Sequence, residues 1–120
     1  MAKFAKVLIM LVRVVSLVLI VLGILIWSGN SPQLLGAHIG MGFLVAVLIG
    51  LLAVLALARR AWPLGILGLV AAAALPWVGL KQFPLAFRHF GAMQIAHILI
   101  VIAALGLAES SYAAIKKSAQ

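Results

Sequence analysis

The stretch LLGAHIGMGFLVAVLIGLLAVLALA, residues 34–58, contains no charged residue and a single ionisable ring, His38. A run of about eighteen or more apolar residues reads as a membrane-spanning helix, because about twenty residues rising 1.5 Å each cross a hydrocarbon core of about 30 Å. Outward from this stretch, the uncharged region extends from Arg13 to Arg59. The chain has 120 residues, 68% of them hydrophobic and 8% charged. A soluble domain of that size exposes too much of its surface to hide so much apolar area. The expected fold is therefore an all-α membrane protein forming one domain over residues 1–120.

Turn signals divide the chain. SGNSP at 28–32 offers Ser31 as N-cap and Pro32 at the first helical position. ARRAWP at 58–63 and GLKQFP at 79–84 are the other breaks. The expected spans are about 4–27, 32–58, 62–80 and 85–115, the last opening as an interfacial turn, PLAFRHF. The N-terminal stretch imitates a signal peptide, but Arg13 interrupts its long apolar run and no A-x-A-like site follows, so it reads as a retained first helix. Short connections favour an up-down-up-down bundle with helices 2 and 4 diagonal. No internal repeat is evident.

The formal net charge is +8, from nine Lys or Arg against Glu109 alone. These charges gather at span ends, as expected for lipid head-group contact and orientation control, and offer no basic face for nucleic acid. Lys3, Lys6, Arg59, Arg60, Lys116 and Lys117 would share one side, joined by Arg13 if it snorkels; Lys81 and Arg88 lie on the other. The positive-inside rule then places both termini in the cytoplasm, in a bacterial or archaeal cytoplasmic membrane. Glu109 is expected to pair with Arg59, Arg60 or Lys116, and no acid is clearly placed for Arg13. With no cysteines, disulfides, thiolate metal sites and iron–sulfur clusters are excluded.

An ionisable residue inside a membrane is a functional hypothesis by default. His38 lies about 9 Å along helix 2 from Pro32, and His97 about 10 Å along helix 4 from Phe90. They can share one depth and face each other across the bundle core. Two such imidazoles are what a six-coordinate haem iron requires as axial ligands. Gly23, Gly42 and Gly79 would leave room for a flat macrocycle, while Gly36 and Gly40 form a G-x-x-x-G suited to close approach of a neighbouring helix. The His97 face also carries Met93, Gln94, Val101 and Ala104. Lys81, Arg88 and His89 cluster at the outer boundary with Gln94 deeper, and Arg88, whose fork matches a carboxylate, leads as partner for a haem propionate. The competing reading gives the two histidines hydrogen bonds to Gln94, a serine or a backbone carbonyl without any cofactor, and treats His89 as an interfacial ring. Met41 and Met93 are alternative axial ligands. Two histidines without carboxylate or thiolate make a thin zinc or copper site.

HIGMG in helix 2 and QIAHILIVIAALG in helix 4 resemble the ligand helices of one half of a heme A synthase-like bis-histidine bundle, a small membrane cytochrome b. The likeness covers nearly the whole chain. It implies one b-type haem held by His38 and His97. That family carries an acidic residue just before its helix 2 histidine; here the stretch is LLGA, so only the haem-binding bundle carries over.

The leading expectation is an electron carrier rather than a stand-alone enzyme, exchanging electrons with quinol or a redox protein through a single haem near the outer face. The alternative is a cofactor-free accessory subunit of a larger complex or a homo-oligomer. A small multidrug transporter needs an acid in helix 1, where this chain has Arg13. No carboxylate pair or activated nucleophile points to soluble-substrate catalysis.

Overall fold

The computed structural model describes residues 1–29, 31–82 and 91–120. They form four helices, α1 (Ala2–Trp27), α2 (Leu35–Ala58), α3 (Trp62–Lys81) and α4 (Ala92–Ser118), with a single 3-10 turn, Pro32–Leu34, leading into α2. All four are long and apolar enough to cross a membrane. Four long apolar helices were expected, and four are present among the described residues. The start expected at 85 lies outside the described residues, and α4 runs on through Lys116 and Lys117, cations that suit the negative end of a helix dipole. Ser31 does occupy the cap position before Pro32, but its hydroxyl makes no capping bond.

The connections explain the helix ends. Gly29 adopts φ 77°, and its amide donates to the Ile26 carbonyl, closing α1 with a left-handed residue. After α2, the Ala61 amide donates to Ala56 O at 2.9 Å and the Arg60 amide to Leu57 O at 2.9 Å. This is a Schellman motif, and it places Arg60, a non-glycine residue, at φ 62°.

Lipid tails are as apolar as leucine, so membrane helices associate through close packing rather than water exclusion. The closest approach is between α2 and α3. A Cβ added at Gly68 would come within 2.8 Å of the Ala53 Cβ, and one at Gly65 within 2.9 Å of the Ala53 carbonyl oxygen and into the Leu57 side chain. The expected G-x-x-x-G contact is not formed within the chain: Gly36 and Gly40 are exposed, with nothing within 4 Å of an added Cβ. The close approach falls instead to Gly65 and Gly68, where short Ala53 meets them.

Helices α2 and α4 touch, whereas α1 and α3 do not touch among the described residues. The bundle cross-section is thus a rhombus with α2 and α4 on its short diagonal. Its solid core fills one half of the length: Ala5, Leu8, Ile9, Val12 and Val15 of α1 pack with Val45, Leu48, Ile49 and Leu52 of α2 and Ala104, Ala108 and Ile115 of α4. The recurring three- and four-residue spacings keep each set on one helix face. In the other half the buried set thins out and the helices enclose a space.

Candidate functional site

That space is a cavity of about 440 Å³, within the range of small-molecule and cofactor sites. Its walls come from residues 16–27 of α1, 35–49 of α2, 75–82 of α3 and the turn after it, and 97–105 of α4. They are apolar except for Ser16, Trp27, His38, Gln82 and His97. Pro76 is one wall residue; lacking an amide hydrogen, it gives no helical bond to the Ala72 carbonyl.

The two histidines face each other here, with ring centroids 6.5 Å apart and planes inclined at 56°. Both sit near the N-terminal ends of helices on the short diagonal, so the same turn of each helix meets the other. Each ring is backed by a glycine of the neighbouring helix. A Cβ at Gly23 would lie 3.4 Å from His38 Cε1 and 3.9 Å from its Nδ1; one at Gly79 would lie 3.4 Å from His97 Cε1 and 3.7 Å from its Nδ1. The α1–α2 hairpin and the α3–α4 hairpin thus repeat one device, a glycine near the end of the first helix carrying a histidine near the start of the second. The Nδ1 atoms of both rings are buried and make no hydrogen bond of good geometry. The Leu19 carbonyl, one turn before Gly23, interacts with the His38 ring.

The remaining candidates separate. Gly42 lines the cavity and has open space beside it. Val101 and Ala104 line it as well. Gln94 does not: its Oε1 accepts from the Gly91 amide at 2.9 Å, capping the start of α4. Its position at N3 is the reason, since a Gln there reaches back to the N-cap amide. Lys81 also faces away, its Nζ 5.6 Å from the Trp77 ring centroid. Met41 packs against the solid core. Arg88 and His89 lie outside the described residues. No cluster of three or more His, Cys, Asp or Glu able to hold a metal occurs among the described residues.

Three features escaped the sequence reading. Gln82 is buried at the cavity wall, three residues beyond Gly79 and so on the same helix face. Ser16, seven residues before Gly23, lines the cavity with its Oγ buried and unpartnered. Glu109 pairs with Arg13, not with Arg59, Arg60 or Lys116. Arg13 Nε donates to Oε1 at 2.7 Å and Nη2 to Oε2 at 2.8 Å, a two-pronged contact between guanidinium and carboxylate. Arg59 is turned elsewhere, with its Nε 3.0 Å from Met1 Sδ.

The fold and cavity define a class: a four-helix protein able to span a lipid bilayer, carrying a histidine pair inside it. Comparison of the chain with known protein families, with curated proteins and with solved structures returns no match.

Proposed function

We propose that the chain is a membrane-embedded b-type haem protein, with His38 and His97 as the two axial ligands of one haem, and that it serves electron transfer. The observation that carries this reading is the separation of the imidazoles. Two imidazoles that would hold one metal between them must face each other across a gap of little more than two metal–nitrogen bonds of about 2.0–2.1 Å and the rings' own half-widths. The rings here stand 6.5 Å apart. The glycines behind them leave an edge contact rather than a side chain, which suits rings whose orientation must be fixed. The buried Nδ1 atoms fit a ring turned to offer Nε2 to the cavity. A tetrahedral zinc or copper site would need further ligands that the cavity wall does not supply.

When bound, the haem supplies a one-electron couple whose potential follows from its axial ligands and the polarity of its surroundings. The chain's own residues do the rest. His38 and His97 would hold the metal, Gly23 and Gly79 would set the ring positions, and the aliphatic walls would limit access of water. Gln82 adds a buried polar side chain to the cavity wall, and Arg88 remains the candidate partner for a propionate.

The same reading gives an up-down-up-down bundle with both termini in the cytoplasm. It is supported by Lys3, Lys6, Arg59, Arg60, Lys116 and Lys117 at the end opposite the cavity. The haem would then lie toward the outer face, with lipid around the bundle and a quinol or redox protein as electron partner. The test is the absorbance of protein purified in mild detergent from haem-supplemented cells. The reading expects a sharp Soret band, with narrow α and β bands on reduction, lost in both His38→Ala and His97→Ala. Colourless, folded protein would overturn it, and the accessory-subunit reading would take its place.

A further inference from the structure

We propose that the seam between α1 and α4 is a second ligand site, for a membrane quinone or quinol whose head group lies against Ser16, Arg13 and Glu109. The proposal rests on the electron-transfer reading, for which it supplies the partner's binding place.

The ion pair sits at an unusual depth. Arg13 is seven residues beyond Lys6 and Glu109 seven before Lys116, each about 10 Å along its helix from the charged end. Yet the two side chains are 57% and 46% exposed. Charged groups inside a bilayer normally face a bundle interior or a cavity rather than lipid tails. Here they border a groove of about 220 Å³ whose apolar wall includes Leu17, Ile20 and Leu105. Ser16 lines the same groove, one turn from Arg13, with the residue only 6% exposed and its Oγ unpartnered.

The chemistry selects the occupant. Arg13 and Glu109 neutralise each other, so neither an anion nor a cation is called for, and a lipid phosphate would meet the carboxylate. The guanidinium keeps N–H donors on Nη1, the carboxylate keeps lone pairs, and the serine hydroxyl can donate or accept. A neutral ring with oxygens at opposite ends uses all three: a quinone carbonyl accepts from Arg13 or Ser16, and a quinol hydroxyl donates to Glu109. A hydrocarbon tail on that ring would lie along the exposed apolar face of α1. Ser16, Ile20 and Leu105 also line the histidine cavity, so the head group would adjoin it.

The experiment is photolabelling of the full chain in lipid nanodiscs with an azido-benzoquinone bearing an alkyl tail, followed by peptide mapping. It is done on the wild type and on His38→Ala/His97→Ala. The expected label falls within residues 13–20 and 105–109 and is competed by decylubiquinone. Ser16→Ala, which breaks no bond, should weaken competition several-fold, and Arg13→Met/Glu109→Leu about tenfold or more. Label spread along all lipid-facing surfaces, or labelling indifferent to these variants, overturns the proposal. So does a chemical cross-link showing a second copy of the chain seated on the seam. A labelled seam in a protein that never binds haem would keep the site and remove the electron-transfer reading. A haem spectrum with an unlabelled seam would do the reverse.

Discussion

Adding side chains at Gly23 and Gly79 should separate ring positioning from general packing. An alanine Cβ would stand 3.4 Å from the Cε1 of His38 or His97, an ordinary contact. The next carbon of a valine extends about 1.5 Å further, and one of its two branches would overlap the ring. Overpacking of this kind costs about 1–3 kcal/mol. If the ring is displaced only when it must ligate, that cost falls on haem affinity as a factor of about 5–150. The assay is titration of haem into apoprotein in detergent, followed at the Soret band. Gly23→Ala and Gly79→Ala should bind almost as wild type, and Gly23→Val and Gly79→Val should bind within the weakened range. Gly36→Val and Gly40→Val are the controls, since neither position has anything within 4 Å of an added Cβ. Equal affinity for all four valine variants, or a loss already complete with alanine, would refute the reasoning.

Other expectations follow from the fold. Arg60→Gly should stabilise the protein by about 1 kcal/mol in detergent unfolding, because a side chain at φ 62° carries a left-handed penalty of about that size. Gly68→Leu should lower the unfolding midpoint, by about 1–3 kcal/mol of overpacking against Ala53, whether or not a ligand is bound. Gln94→Ala should remove about 0.5–1 kcal/mol of cap stability at α4 and leave haem binding in place, a result that titration and unfolding on one sample can check. Glu109→Gln alone should destabilise more than Arg13→Met/Glu109→Leu together, since the single change strands a guanidinium in the bilayer; thermal unfolding in nanodiscs reads the order.

The four long apolar helices were legible because length and hydropathy decide them. The meeting of His38 and His97 was also legible, from two equal climbs along α2 and α4. The same arithmetic would have matched Arg13 to Glu109, which climb equally from Lys6 and Lys116. The expectation was instead drawn to cations close to Glu109 in sequence or at the helix ends, although a helix 1 partner was level with it. Gln94 was misread because one side chain can serve a cap or a cavity, and its place at N3 makes the backbone the nearer partner. Gly36 and Gly40 show the limit of a motif: spacing puts two small residues on one face, but only the other helices determine whether that face is used. Gly65, Gly68 and Ala53 met because the three-residue turn after α2 folds α3 directly back.

The bundle is solid along the half that holds Leu8, Ile9, Leu52 and Ile115 and hollow along the half that holds the histidines. Resistance to local opening should follow the same division, since openings concentrate where few side chains interlock. Amides in α1 after Ser16 and in α4 before Ala104 should exchange with deuterium before those of the packed segments around Leu8–Val15 and Ala108–Ile115. Filling the cavity should slow them selectively, because a ligand that binds only the closed form raises the cost of opening. The sealed half would remain assembled throughout, so loading and release can proceed as a breathing of one end, with no need for the chain to unfold.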